Sequence, residues 1–246
     1  MQAVILAAGF GKRLRPITER IPKCLVPVNG KPLLVNALEI LESRGIREAV
    51  IVVGHMKDKI YQAVGHQFGQ IKISYVANDL YDRTNNVYSL WLARDRLDKD
   101  TLLLECDLFY GPDLIDALMS KGRDCDVLVS KFDPDTMNGT VLKLDGDIVR
   151  SLITKRDQRE GFDYSDKHKT VNMYRFSKDF LKKYLVPYLD LYVRTHGTQR
   201  YYELVLGTIV YLGEPEVNAI VVDKELWREI DDADDLRLAE KHFGTA

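Results

Sequence analysis

Short apolar runs alternate with helix-spaced apolar positions through the first half of the chain. Ala3 to Leu6 is an apolar run suited to a buried strand. Pro32 opens a predicted helix with Leu34, Leu38 and Leu41 on one face and Gly45 just past its end. Ala49 to Val53 reads as a second strand, Lys57 to Phe68 as a helix and Ile71 to Val76 as a third strand. Thr84 is placed to cap a helix carrying Val87, Leu90, Trp91 and Arg94 at helical spacing. Thr101 to Leu104 is a fourth strand, ending in Glu105-Cys106-Asp107, and Pro112 opens another helix. This alternation predicts an α/β fold with a mostly parallel sheet and helices on both faces.

The second half has a different rhythm. Val127 to Ser130 reads as a strand, and Val141 to Leu144, Asp145-Gly146 and Ile148 to Ile153 read as a hairpin with a tight turn. Residues 154–169 are polar and lack periodicity, so they are expected to form a loop over a site. Thr170 to Phe176 is a further strand. Helices are expected near Lys178 to Tyr188 and Tyr201 to Tyr211, then a strand at Val217 to Val222 and a closing helix at Ala233 to His242. No repeat or linker-like stretch divides residues 1–246, which are read as one domain.

Composition narrows the function classes. The chain has 246 residues, 46% of them hydrophobic and 29% charged, as in an ordinary globular protein, so disorder is excluded as the main state. A formal net charge of −2 argues against a nucleic-acid binder. No apolar run approaches the roughly 18 residues of a membrane-spanning helix. Cys24, Cys106 and Cys125 cannot build a disulfide framework, and Cys106 and Cys125 lie in apolar runs as expected of small core residues. The N-terminus enters a strand without a basic leader, so a cytoplasmic enzyme is the expected class.

The chemically most informative segment is Leu6-Ala7-Ala8-Gly9-Phe10-Gly11-Lys12-Arg13-Leu14-Arg15-Pro16. Small residues and two glycines let backbone N–H groups approach an anion, and three basic side chains follow at once. It is not a dinucleotide fingerprint, because Leu14 stands where the third glycine belongs. It is not a P-loop either, since Leu6 replaces the leading glycine and Arg13 the Ser/Thr. An oligophosphate site fits the pattern better than its alternative, a tight turn with solvated charges.

That segment, with Pro22-Lys23-Cys24-Leu25-Val26-Pro27-Val28, resembles the signature of the nucleoside-triphosphate transferases, which include the sugar-1-phosphate nucleotidyltransferases. Thr84-Asn85-Asn86-Val87-Tyr88-Ser89-Leu90 is similar to a segment of a narrower branch, which transfers CMP to phosphocholine or 2-aminoethylphosphonate. Lys169 to Ser177, Tyr201-Tyr202-Glu203 and Trp227 to Asp232 also look like that branch. The resemblance implies a Rossmann-like three-layer α/β/α fold of the nucleotide-diphospho-sugar transferase type, with a mostly parallel mixed sheet. Residues 1–125 would mainly bind the nucleoside triphosphate, and 126–246, bearing the β-hairpin, mainly the acceptor. It implies CTP, a small phosphate or phosphonate acceptor and Mg²⁺ as ligands. Some members of the branch are fused to an aminotransferase, and a homodimer is left open.

Residue roles carry over on the same footing. Leu6, Ala7, Ala8, Gly9, Phe10 and Gly11 would wrap the nucleotide, with Lys12 and Arg13 on the β- and γ-phosphates and Lys23 on the α-phosphate. Asp107 also stands at the carboxyl end of a strand, where open α/β sheets bind ligands, so it is a candidate Mg²⁺ ligand in its own right. Asp231 would be the second ligand, with Asp232, Asp234 and Asp235 left to cap the last helix and an alternative register shifted by one residue. Asn78 either reads the base or is a turn residue. Thr84, Asn85 and Asn86 lie at a helix start whose free N–H groups suit an anion or carbonyl. Lys155 would hold the acceptor phosphate, with Arg156 and Arg159 as alternatives of register. Lys169, Asn172 and Glu203 complete the acceptor side. Glu203 is a candidate partner for an acceptor ammonium, with Tyr174, Tyr201, Tyr202 or Trp227 offering cation–π contact or packing in the core. The rival readings are a nucleotidyltransferase for a hexose-1-phosphate or inositol-1-phosphate, with CTP, UTP or dTTP, and a non-catalytic nucleotide sensor.

Overall fold

In the computed structural model, which describes residues 1–244, the first apolar run extends to Gln2–Ala7 and is buried along its whole length. It lies inside a ten-stranded sheet. The order across the sheet is Val141–Asp145, Ile148–Ile153, Asn218–Val221, Cys125–Lys131, Lys167–Phe176, Thr101–Glu105, Gln2–Ala7, Glu48–Val53, Ile71–Ala77 and Gln67–Phe68. All run one way except Gln67–Phe68, Ile148–Ile153 and Lys167–Phe176. The mostly parallel mixed sheet is therefore as expected, with one long antiparallel strand inserted between two parallel ones.

Period-two alternation divides the core into two layers. Ala3, Ile5 and Ala7 face a cluster containing Leu34, Leu38 and Leu41 of helix Leu33–Ser43 and Leu114 and Leu118 of helix Asp113–Ser120. Val4 and Leu6 face the opposite cluster, with Val87 and Leu90 of helix Asn86–Leu92 and Val205, Leu206 and Ile209 of helix Glu203–Leu212. Strands buried on both faces need continuous apolar sequence, which accounts for the runs in the first half.

A third, smaller cluster positions the site. Leu14, Val26, Val28 and Leu33 pack with Phe109, Ile230, Leu236 and Ala239. It joins the basic loop, the segment after Thr101–Glu105 and the start of helix Ala233–Phe243. Two short strands the sequence pattern did not announce complete the joint: Leu108–Tyr110 pairs antiparallel with Trp227–Glu229, opposing Leu108 to Glu229.

Four local expectations are corrected. The helix from Lys57 ends at Val64, because Gly65 turns the chain at φ 70° and Gln67–Phe68 pairs back onto Ile71–Ala77. Asn85, not Thr84, caps the next helix, its side chain accepting from the Asn86 N–H at 2.8 Å. The loop after Ile153 is shorter than expected, since the strand already begins at Lys167. The helix expected near Lys178 to Tyr188 runs on through a π turn, Leu181–Leu185, to His196. The hairpin forms as expected, with a bulge at Lys143/Leu144.

Ile230 is fully buried in the small cluster. Ile230→Ala is expected to cost about 2–4 kcal/mol by urea denaturation. Turnover of the folded fraction should fall too, whereas Leu118→Ala, in the distant layer, should cost comparable stability and spare turnover.

Candidate active site

The paired short strands bring two acidic segments side by side, with the Ile230 N–H donating to the Asp107 carbonyl at 2.8 Å. Lys23 reaches between them. Its Nζ lies 2.8 Å from Asp107 Oδ2 and 2.8 Å from Asp231 Oδ1, and Arg13 Nη2 lies 2.7 Å from Asp231 Oδ2. Burial alone would lower the Lys23 pKa, but the two carboxylates outweigh it and hold the ammonium well above its ordinary value. Burial pushes Asp231 up, and Lys23 and Arg13 more than reverse this, so its carboxyl titrates below the usual range. Asp232 caps the last helix in a capping box with Asp235, which leaves the Asp231 side chain to Lys23 and Arg13.

The glycine-rich loop lies beside this cluster. Among the described residues the N–H groups of Gly9, Phe10 and Gly11 have no protein partner, as an anion cradle requires. Gly11 is left-handed, at φ 62°, and a Cβ there would stand 2.9 Å from Lys23 Cβ. Gly54 backs the loop, where a Cβ would meet the Ala8 carbonyl at 2.7 Å. Leu6, Ala8, Gly9, Phe10, Gly11 and Lys12 line a cavity of about 360 Å³, whereas Ala7 is a buried strand residue that does not. Phe10 packs against Tyr81, with ring centroids 5.0 Å apart, on the same cavity.

Asn78 borders this cavity, but its amide donates to Thr84 Oγ1 and Ser89 Oγ at 3.0 Å each and its Oδ1 accepts from Leu80 N–H. Both amide donors are thus engaged within the turn, while Oδ1 keeps a second lone pair. Thr84 braces that turn by donating to the Leu80 carbonyl. Asn86 also lines this cavity: its amide donates to Glu105 Oε1 at 3.1 Å and Glu203 Oε2 at 3.3 Å, and its Oδ1 accepts from Tyr202 N–H.

A second cavity, of about 550 Å³, adjoins the first and shares Arg13, Asn86, Glu105, Asp107, Tyr201 and Asp231 with it. Its floor is acidic. Glu203 is 5% exposed, and burial raises its pKa. Burial also raises Glu229, against the pull of Lys169 at 3.3 Å, and Glu105 is raised by burial and by Asp107. Its rim is basic, with Arg13, Lys155, Arg156 and Arg200. Asn172 lines the same cavity from the strand Lys167–Phe176, at φ 58°. Of the candidate aromatics, Tyr174 and Tyr202 are fully buried and pack on each other, Trp227 is 4% exposed, and Tyr201 alone lines this cavity.

Asp107, Glu229 and Asp231 offer carboxylate oxygens within 4.8 Å of one another, and Asp107 Oδ1 is buried without a protein partner. Hard oxygen donors of this number fit a divalent cation such as Mg²⁺. Glu229 and Glu105 were missed as site residues. Both occur as Glu-x-Asp at a strand end, Glu105-Cys106-Asp107 and Glu229-Ile230-Asp231, and the period of two puts each pair on one face.

Comparison with known proteins decides the family. The profile of the MobA-like NTP transferase domain matches residues 3–228. The chain belongs to that family. This NTP transferase is 34% identical over 245 residues to a CMP-5'-(3-aminopropyl)phosphonate synthase from Streptomyces rubellomurinus, covering 99% of the chain and 39% of that relative. It is also 35% identical over 124 residues, half of each chain, to a UTP–glucose-1-phosphate uridylyltransferase from Haloferax volcanii. The solved CTP:phosphocholine cytidylyltransferase of Streptococcus pneumoniae superposes with a TM-score of 0.76 at 25% identity, over 98% of this chain and 97% of that one. Among the described residues the chain has no helix long and apolar enough to cross a membrane.

Two outcomes test the site. If the chain carries its family's nucleotidyl-transfer chemistry, Asp107→Asn should cut pyrophosphate release at least about 10²-fold while leaving the far-UV spectrum intact. Glu203 is protonated more readily folded than unfolded, so its ionised form opposes folding above its ordinary pKa of 4.5. Glu203→Gln should therefore raise the melting midpoint by a few degrees at pH 7.5, a gain that shrinks as the pH falls toward 4.5.

Proposed function

We propose that the protein is a cytidylyltransferase that moves CMP from CTP to a small zwitterionic phosphate or phosphonate, releasing pyrophosphate. The observation that carries this reading is the charge layout of the second cavity: buried Glu203 and half-buried Glu105 and Glu229 beside an exposed rim of Arg13, Lys155, Arg156 and Arg200. An acceptor with an ammonium at one end and a phosph(on)ate at the other complements both layers. A hexose or inositol phosphate is anionic at one end and neutral at the other. It would leave Glu203 and Glu105, which unlike Glu229 have no salt-bridge partner among the described residues, without a direct counter-charge. The choice of CTP rests on the names of the cytidylyltransferase relatives. Residues 1–125 mainly serve the nucleotide and 126–246 mainly the acceptor.

The free N–H groups of the loop, with Lys12 and Arg13, hold the β- and γ-phosphates and neutralise the charge that gathers on departing pyrophosphate. Lys23 exchanges its carboxylate partners for the α-phosphate as the acceptor oxygen attacks phosphorus in line. Asp107, Asp231 and Glu229 would hold Mg²⁺, which supplies Lewis-acid charge neutralisation when bound. The phosphate monoester is already largely dianionic at neutral pH, with a second pKa of about 6, so no general base is required. Rate then comes from positioning and charge neutralisation.

A pyrophosphate-release screen with Mg²⁺ tests the reading, crossing four nucleoside triphosphates with phosphocholine, phosphoethanolamine, 2-aminoethylphosphonate, inositol-1-phosphate and glucose-1-phosphate. Release with CTP and an amino-phosph(on)ate is expected. Release only with UTP or dTTP and a sugar phosphate would overturn it.

A further inference from the structure

Two loops wall the second cavity, and a single side chain ties them together. Residues 132–140 join Cys125–Lys131 to Val141–Asp145 and put Asn138 and Gly139 on the cavity. Residues 154–166 join Ile148–Ile153 to Lys167–Phe176 and put Lys155 and Arg156 on it. The half-buried Gln158 spans the two. Its Nε2 donates to the Gly139 carbonyl at 2.7 Å and to the Ile153 carbonyl at 3.2 Å, and its Oε1 accepts from the Tyr164 hydroxyl at 3.1 Å. The partners fix the amide's orientation, because a carbonyl only accepts and so must face the NH₂. Tyr164 in turn stacks on Phe132, with ring centroids 4.5 Å apart, where the first loop begins.

This clasp bears on three cations. Lys155 and Arg156 sit in the 3₁₀ turn Lys155–Asp157, are exposed, and have no ion-pair partner among the described residues, so the turn itself sets where their charges lie. Gln158 closes that turn through its own N–H on the Lys155 carbonyl, and Thr154 Oγ1 braces it by donating to Asp157 Oδ2 at 2.7 Å. On the other loop, Gly139 passes so close to Lys169 that a Cβ there would stand 2.9 Å from its Nζ. Lys169 is 3% exposed and pairs with Glu229, so holding the Gly139 carbonyl also holds the wall against this ammonium.

We propose that Gln158 is a positioning residue for the acceptor, its side-chain amide clasping the two loops so that Lys155, Arg156 and Lys169 stand ready around the arriving phosph(on)ate. This rests on the reading of the second cavity as the acceptor site. Neither loop lines the cavity at the glycine-rich loop, so opening the clasp leaves the nucleotide side as it is. Displacing positioning groups by an ångström is enough to slow a reaction severely.

The test uses Gln158→Glu, which keeps the shape but turns a carboxylate oxygen toward the two carbonyls, and the neutral Gln158→Met, which separates loss of the clasp from added charge. With CTP, Mg²⁺ and 2-aminoethylphosphonate, both should lower kcat/KM for the acceptor at least about 10-fold, mainly through KM, with KM for CTP within about 2-fold of the parent. Tyr164→Phe keeps the ring stack, loses one of the three hydrogen bonds and should cost only about 3-fold. Amide hydrogen exchange, which needs no substrate, should quicken together in residues 133–140 and 155–165 of both Gln158 variants. Faster exchange confined to 155–165, or equal losses for CTP and acceptor, would overturn the inference while the zwitterionic reading stands. If the parent protein turns over glucose-1-phosphate and not 2-aminoethylphosphonate, the zwitterionic reading falls, and the same KM split with glucose-1-phosphate, together with the exchange pattern, decides the clasp.

Discussion

The structure turns on an ammonium held between two carboxylates drawn from distant parts of the chain. Lys23 precedes the first helix, Asp107 follows a central strand and Asp231 precedes the last helix, yet one Nζ touches both acids. Two like charges so close are tolerable only with a cation between them. Everything that fixes their separation thereby becomes part of the site: the small apolar cluster of Leu14, Phe109 and Ile230, the paired strands Leu108–Tyr110 and Trp227–Glu229, and the capping box that keeps Asp232 away. Lysine suits the position because its charge sits on a flexible stem that can follow a phosphoryl group and return.

The two cavities divide the chemistry by charge. The cavity at the glycine-rich loop presents main-chain N–H groups and basic side chains, while the adjoining cavity puts carboxylates at its floor and guanidinium and ammonium groups at its rim. Asn86 stands at the boundary, its amide holding both Glu105 and Glu203. These buried acids oppose folding, and their retention is understandable where a ligand cation returns the energy on binding.

Much of the fold is legible in the sequence. Parallel strands buried on both faces announce themselves as unbroken apolar runs, and the structure brings together Arg13, Lys23, Asp107 and Asp231, which the motifs, the strand-end position of Asp107 and the family resemblance single out. What escaped depends on tertiary context. Leu108–Tyr110 and Trp227–Glu229 are too short to show periodicity and exist because they pair with each other. The sequence offered Asn78 a turn role and Thr84 a capping role, but not that the turn folds their side chains onto one another. Asn172 gave no sign of its backbone, since a left-handed residue within a strand is imposed by the neighbouring register shift.

The long strand Lys167–Phe176 has a consequence for how the chain reaches this state. It completes the hydrogen bonding of Thr101–Glu105, whose other side is already met by Gln2–Ala7. As the polypeptide leaves the ribosome, the nucleotide-side sheet therefore carries an open apolar edge until some seventy further residues have emerged. Such an edge can pair with another nascent chain. Closure of the barrier against aggregation and assembly of the acceptor pocket are then one late event, because the strand that covers the edge also delivers Lys169 and Asn172.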